Sequence, residues 1–301
     1  MTESTPQHET SEVIVELHVP TVAVDATVDL LWVGETTGIE ERPYREASAD
    51  VLLRAGFADR ARAEKALATL PTEVTVLGWS QPDPSDLDGW AEWVEPFAID
   101  QRLLVLPSDR AAPAGDFGIT VKIDAGRSFG HGAHPTTALA LRSVLDLAPV
   151  VASMLDVGTG SGILAIVGLL AGCPEATAID IEADAIDAFR VNAEANGVTE
   201  QINVHHGELH TLNYVGAPES TGSPPGQFPL VVANLGAPVL ESLASVLLQR
   251  VLPGGTLVLG GLLSERWTTL APGFLASDTT PMVEIATPVL DGWIGPVLQR
   301  R

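Results

Sequence analysis

The sequence predicts an α/β protein: a mostly parallel sheet wound on both faces, preceded by a smaller α+β domain. Three observations carry this expectation. An apolar strand at Ser153–Val157 runs into Gly158-Thr159-Gly160-Ser161-Gly162, then an apolar helix at Ile163–Ala171 and a second strand at Ala176–Ile179 that ends on Asp180. Strands and helices keep alternating from Gly118 to Leu259, which is the pattern of a parallel sheet with crossover helices. Near the start, residues 11–80 follow the order β-α-β…α-β, which suggests a ferredoxin-like unit.

The elements follow in chain order. Glu12–Val19 alternates apolar and polar residues and predicts a strand that Pro20 stops. Ala23–Val33 places Val24, Val28, Leu31 and Trp32 at helical spacing, with Gly34 at its end. Gly38–Glu41 predicts a short strand. Asp59–Leu70 is a charged amphipathic helix closed by Pro71, and Glu73–Trp79 alternates again. Gln81–Asp88 is rich in proline and aspartate, which marks a turn or linker. A short helix at Leu87–Val94 would bring Trp90 and Trp93 to a domain junction. Arg102–Leu106 predicts a strand and Pro107–Gly115 a loop. The expected division is residues 1–80, a linker over 81–115, and a second domain over 116–301.

In the second domain, Gly118–Ile123 predicts a strand, and Ser128–Thr137 leads into a helix through Leu145. Pro135 suits a first helical turn, and Thr136 or Thr137 could cap it. After the glycine turn come a helix at Ala183–Asn196 and a strand at Gln201–His205. Tyr214–Gln227 is a proline- and glycine-rich loop. Pro229–Ala233 predicts a strand ending on Asn234, and Val239–Leu252 a helix closed by Pro253-Gly254-Gly255. Thr256–Leu259 is a further strand, and Met282–Ala286 with Ile294–Gln299 a terminal strand pair.

Composition narrows the function. The chain of 301 residues is 46% hydrophobic and 18% charged, so it can bury a substantial core and is not a disordered chain. The longest apolar stretch, Ile163–Cys173, is too short to span a bilayer. The first ten residues carry neither a basic nor an apolar targeting region. The single cysteine, Cys173, excludes an internal disulfide and a thiolate metal cluster, and it reads as a small buried residue at a helix end. A cytoplasmic protein is expected. The net charge is −23, and between Ser143 and Gln249 only Arg190 is basic against twelve acids. Such a surface repels a phosphate backbone, so no direct nucleic-acid contact is expected. It would attract a basic protein or a cationic cofactor.

The glycine turn carries the chemistry. Its spacing is G-x-G-x-G preceded by Asp156, not the dinucleotide pattern G-x-G-x-x-G. Glycine permits the tight bend and a close backbone approach to a ligand, and the N–H groups at the helix start are expected as donors to it. An acid at Asp180 can accept both hydroxyls of a ribose. Asn234 falls at the carboxyl end of a strand in the same sheet, the edge where open α/β sheets bind ligands. His131, His134, His205, His206 and His210 lack the spacing of a metal site, and none is expected.

The turn resembles the first motif of Rossmann-like, class I methyltransferases that use S-adenosylmethionine. The wider resemblance is to the bacterial ribosomal-protein methyltransferases that modify large-subunit ribosomal protein eleven, the PrmA family. It rests on SFGHGAHPTT, LDVGTGSGIL, AIDIEADAI with RVNAEANGV, and VVANLGAPVL, and it extends over nearly the whole chain. It implies an N-terminal substrate-recognition domain, a linker and a C-terminal methyltransferase domain. It implies methyl transfer from S-adenosylmethionine to lysine or N-terminal amines of a basic ribosomal protein, free or on the large subunit. The cofactor contacts it implies, joined to the reading of the turn itself, fall on Thr137, Asp156, Gly158, Gly160, Gly162, Asp180 and Asn234. Asn234 is also the expected catalytic residue, positioning the amine. The chain departs from the family at His131, where a small hydroxyl residue is usual, and at Gly236, where a larger apolar residue is usual. Two other readings remain open at this level: a methyltransferase for a small molecule or another protein, and a non-catalytic cofactor-binding protein.

Overall fold

The computed structural model describes residues 13–33, 36–45, 50–57, 59–81, 96–108, 110–113, 115–124, 134–212, 226–276 and 279–301. The chain divides into two units, Met1–Gly89 and Trp90–Arg301. The first contains β1 (Val13–Val19), α1 (Val24–Val33), β2 (Thr36–Pro43), β3 (Val51–Phe57), α2 (Arg60–Leu67) and β4 (Thr75–Ser80). Its four strands pair antiparallel in the order β2-β3-β1-β4. With its two helices this is the ferredoxin-like arrangement that the sequence predicts. Alternation turns Val15, Leu17 and Val19 of β1 and Leu53, Ala55 and Phe57 of β3 to one face, where they are fully buried with Leu31 and Ala63. α2 begins at Arg60 because the Asp59 carboxylate accepts the Arg62 N–H at 2.9 Å and caps the helix.

The second unit starts with a small sheet of β5 (Phe97–Ile99), β6 (Leu103–Pro107) and β7 (Ile119–Ile123), in that order. It continues through α3 (Pro135–Leu147), β8 (Met154–Val157), α4 (Ile163–Leu170), β9 (Ala176–Asp180), α5 (Ala183–Ala195), β10 (Ile202–His206) and β11 (Phe228–Asn234). Then come α6 (Ala237–Arg250), β12 (Val251–Gly260), β13 (Leu262–Leu263), α7 (Ser264–Leu275), β14 (Met282–Ala286), β15 (Val289–Leu290), β16 (Trp293–Ile294) and β17 (Val297–Arg300). Seven strands form the large sheet in the order β10-β9-β8-β11-β12-β17-β14. Its ladders are parallel except for those that β17 makes with β12 and β14. β13, β16 and β15 form a separate small sheet.

Two cores cover the two faces of the large sheet. Met154, Ala178, Leu230, Val232 and Val258 pack with residues of α3, α4 and α5. The alternate residues Leu155, Val157, Ile179, Val231 and Leu257 pack with residues of α6 and α7. This is the doubly wound, Rossmann-like layer structure. The chain leaves β8 toward β9 and β10, then crosses back to β11 on the other side of β8. The crevice over the carboxyl end of β8 is therefore the switch point at which such sheets bind ligands.

Several expectations are corrected. β5 and β6 join β7 in one sheet of the second unit, so part of the expected 81–115 linker is built structure. β3, β5, α7 and the β13–β16–β15 sheet have no counterpart in the sequence expectation. The Pro253-Gly254-Gly255 stretch lies inside β12 rather than before it, with a register shift at that point of its ladder. Ile294, expected at the start of the terminal strand, belongs to β16, while the terminal pair is β14 with β17. The expected helix at Leu87–Val94, with Trp90 and Trp93, lies outside the described residues, as do His131 and the stretch 213–225. No described helix is long and apolar enough to cross a membrane.

Candidate cofactor site

β8 delivers the chain into the glycine turn with three left-handed glycines: Gly158 at φ +68°, Gly160 at +52° and Gly162 at +85°. A Cβ on Gly158 would stand 2.3 Å from Leu235 Cδ2, and one on Gly162 2.3 Å from Phe189 Cδ2. The left-handed angle calls for glycine at both positions, and at Gly162 the fully buried Phe189 ring adds a steric demand.

Four N–H groups of the turn already have protein acceptors. The Gly158 and Thr159 N–H groups both donate to the Ile179 carbonyl of β9, at 2.9 and 3.2 Å. The Gly162 N–H donates to the Thr159 carbonyl at 2.8 Å, and the Gly160 N–H to Asp180 Oδ2 at 2.9 Å. The turn is locked onto the next strand before any ligand arrives.

Asp156, expected among the ligand contacts, sits beneath the turn and is 1% exposed. Its Oδ2 accepts the Thr159 hydroxyl at 2.7 Å and the Ala165 N–H at 3.3 Å, while Oδ1 has no protein partner. Burial pushes its carboxyl up to about 7, against the two hydrogen bonds that lower it; the nearby Asp180 charge raises it slightly further. Through its Oδ2, Asp156 ties the turn to the start of α4.

Asp180 ends β9 and is half-buried. Its Oδ2 takes the Gly160 N–H, and its Oδ1 takes the Glu182 N–H at 3.0 Å. A carboxylate has about four acceptor directions, so two remain for a ligand. Ile181, the next residue, is 68% exposed and offers an apolar surface beside the acid. The sequence signal for it was its position alone, directly after the strand-ending acid.

On the other side of β8, Asn234 ends β11. Its Nδ2 donates to the Thr137 hydroxyl at 3.2 Å, and its Oδ1 is buried without a protein partner. Opposite it on β12 is Gly260, where a Cβ would stand 2.4 Å from Asn234 Oδ1. Thr137 lies in the first turn of α3 and is 1% exposed. Neither threonine caps that helix: His134 does, its Nδ1 accepting the Thr136 N–H at 3.3 Å, while Trp293 of β16 packs edge-on against its ring at 4.9 Å.

The structure thus brings Gly158, Gly160, Gly162 and Asp180 together at one turn and joins Asn234 to Thr137 at the end of the strand on the other side of β8. Asp156 lies buried next to the same turn, bonded to Thr159 and Ala165. Among the described residues no cluster of histidine, cysteine and acidic groups could hold a metal ion. Cys173 is buried, its Sγ 3.2 Å from the Glu175 carbonyl.

Comparison with known proteins gives a consistent result. The family described as "Ribosomal protein L11 methyltransferase (PrmA)" matches residues 3–287. A protein of Sorangium cellulosum (strain So ce56) named ribosomal protein L11 methyltransferase is 32% identical over 284 residues, covering 91% of this chain and 86% of that one. A protein of the same name from Pseudomonas putida (strain GB-1) is 37% identical over 206 residues, covering 68% of this chain and 64% of that one. The alignment thus spans less than two thirds of that second relative's length. A crystal structure of a ribosomal protein L11 methylase from Lactobacillus delbrueckii subsp. bulgaricus is similar with a TM-score of 0.58 and 26% identity, covering 69% of this chain and all of that one.

Proposed function

The chain belongs to the ribosomal protein L11 methyltransferase family, and from that premise we propose that it transfers methyl groups from S-adenosylmethionine to amino groups of ribosomal protein L11, a lysine or the N-terminal amine. One observation supports this most strongly. Asp180 and Asn234 end the strands on either side of β8, one with acceptor directions to spare and the other with a buried, unpartnered carbonyl oxygen.

The donor set suits this cofactor. The two remaining acceptor directions of Asp180 match the two hydroxyls of a ribose, and Ile181 offers an apolar face to a purine. Asp180, Glu182 and Asp184 add local negative charge that favours a cation. S-adenosylmethionine supplies a methyl group on a positively charged sulfur, a leaving group that needs no acid to depart.

The protein's task is then positional. The locked turn and Asp180 fix one reactant. Asn234 Oδ1 accepts a hydrogen from the incoming neutral amine and aims its lone pair. Thr137 and Gly260 hold the Asn234 amide in that orientation. Alignment of this kind supplies the rate, since a displaced nucleophile loses much of it. The amine must arrive deprotonated, and nothing stronger than a hydrogen-bond acceptor is needed at Asn234.

The first unit, with no catalytic cluster among its described residues, is assigned to recognition of the protein substrate, free or on the large subunit, in the cytoplasm. The surplus of acids over bases favours a basic protein over nucleic acid. The test is incubation of the purified protein with isotopically labelled S-adenosylmethionine and, in separate reactions, free L11 and large ribosomal subunits, read by mass spectrometry. Label on amines of L11 supports the reading. Cofactor binding with no label on any ribosomal protein overturns it.

A further inference from the structure

Two asparagines on one face of α5 do work that neither the glycine turn nor Asn234 accounts for. Asn192 lies in the last turn of α5 and Asn196 at its C-cap. Helical residues four apart are separated by about 6 Å along the axis, and strand residues two apart by about 6.6 Å. The two asparagines can therefore face alternate residues of a neighbouring strand. They face Lys122 and Asp124, at the end of β7, the outer strand of its small sheet.

Each side-chain amide pairs with both backbone groups of one residue, as a neighbouring strand would. Asn196 Oδ1 accepts the Lys122 N–H at 2.9 Å, and its Nδ2 donates to the Lys122 carbonyl at 2.6 Å. Asn192 Oδ1 accepts the Asp124 N–H at 2.7 Å, and its Nδ2 donates to the Asp124 carbonyl at 2.8 Å. The difference lies in the remaining donor. Asn196 spends it on its own helix, at the Asn192 carbonyl, 2.7 Å away. Asn192 sends it to the carbonyl of Ser161, inside the glycine turn, at 2.8 Å.

Asn192 is fully buried, and both its N–H groups and its oxygen are engaged. Its ring of contacts joins α5, the end of β7 and the turn. Ser161 stands between Gly160, which binds Asp180, and Gly162, which starts α4. We propose that Asn192 is a positioning residue for the cofactor: by holding the Ser161 carbonyl it sets the path of the turn and, through Gly160, the orientation of the Asp180 carboxylate. This rests on the reading of the turn and Asp180 as the S-adenosylmethionine site.

Asn196 supplies the control, because it loses the same number of hydrogen bonds to the same strand without touching the turn. Asn192→Ala and Asn196→Ala are compared with the unaltered full-length chain. Affinity for S-adenosylhomocysteine is read by calorimetry at 25 °C, and thermal unfolding is read in parallel. Both substitutions lower Tm. Asn192→Ala weakens binding at least tenfold, and Asn196→Ala leaves it within about twofold. Equal affinities in the two variants overturn the proposal. If Asn192→Ala does not fold, Asn192→Ser, which keeps one short donor, takes its place. If that also fails while Asn196→Ala folds, Asn192 belongs to the core alone and the proposal falls. An unaltered chain that binds no S-adenosylhomocysteine overturns the reading of the site itself, and the proposal with it.

Discussion

Asn234 and Thr137, 97 residues apart in the chain, meet through a hydrogen bond of 3.2 Å from the Asn234 amide to the Thr137 hydroxyl. The bond orients the side chain. With Nδ2 committed to α3, the oxygen of the same amide is left buried and without a protein partner. A buried unpaired carbonyl costs about 1–3 kcal/mol, so the arrangement makes sense if a ligand supplies the missing donor. Gly260 keeps the space around that oxygen clear.

The first prediction follows from this pair. Asn234→Ala lowers kcat on the order of 10²-fold at saturating cofactor and protein substrate, because the amine loses its alignment. Thr137→Val, which removes the partner but keeps Asn234, lowers kcat by a smaller factor. Single-turnover methylation measures both. A near-normal rate for Asn234→Ala would reduce the residue to a turn former.

Asp180 should matter for binding instead. Its carboxylate is fixed by two backbone N–H groups, so its free acceptor directions are already aimed. Asp180→Ala loses charge-assisted hydrogen bonds and frees the Gly160 N–H, which weakens cofactor affinity by about 1.5–3 kcal/mol, roughly 10- to 150-fold. Calorimetry with S-adenosylhomocysteine checks this. Unchanged affinity would remove Asp180 from the site.

Gly162 tests the packing of the turn. Alanine there meets a left-handed backbone at φ +85° and a Cβ position 2.3 Å from the buried Phe189 ring. The left-handed angle costs roughly 1–2 kcal/mol and overpacking roughly 1–3 more. Gly197 is the reference: its φ is +69°, but nothing lies within 4 Å of an added Cβ. Gly162→Ala is expected to lower unfolding free energy clearly more than Gly197→Ala in denaturant titrations. Equal losses would mean that Phe189 moves aside freely.

The parallel strands around the glycine turn were legible in the sequence because each is an apolar run bounded by glycine, proline or a polar end residue. β3 was not, because Leu52 and Gly56 blur the alternation of Val51, Leu53, Ala55 and Phe57. α7 was obscured by Pro272 and Gly273, which read as breakers but fall in its last turn, where the helix is about to end. At the proposed site, the places of Asp180 and Asn234 at the carboxyl ends of their strands were legible because each directly follows an apolar strand run. The role of Asp156 was not, since a sequence does not say which end residue of a strand points under the turn. Nor was the self-bonding of the turn, which depends on how β9 lies beside it.

Asp156 supplies the last prediction. Its carboxyl is raised to about 7 by burial, against about 3.9 in an unfolded chain. Between those values the folded protein holds a proton that the unfolded chain has released. The contribution of this group to stability is fully present below about pH 4 and is lost as pH rises through about 7. The steepest slope is about 1.4 kcal/mol per pH unit. Asp156→Asn removes this dependence, since an amide stays neutral throughout. Its carbonyl can take the Thr159 and Ala165 hydrogen bonds, while its NH₂ occupies the place of the unpartnered Oδ1 and carries a cost that does not vary with pH. The stability of Asp156→Asn relative to the unaltered chain should therefore rise from pH 4 to pH 8. Denaturant titrations of both proteins across that range, without cofactor, make the comparison. Parallel curves would show that the Asp156 carboxyl titrates alike in the folded and unfolded chains, and that the pocket beneath the turn is wetter than its burial implies.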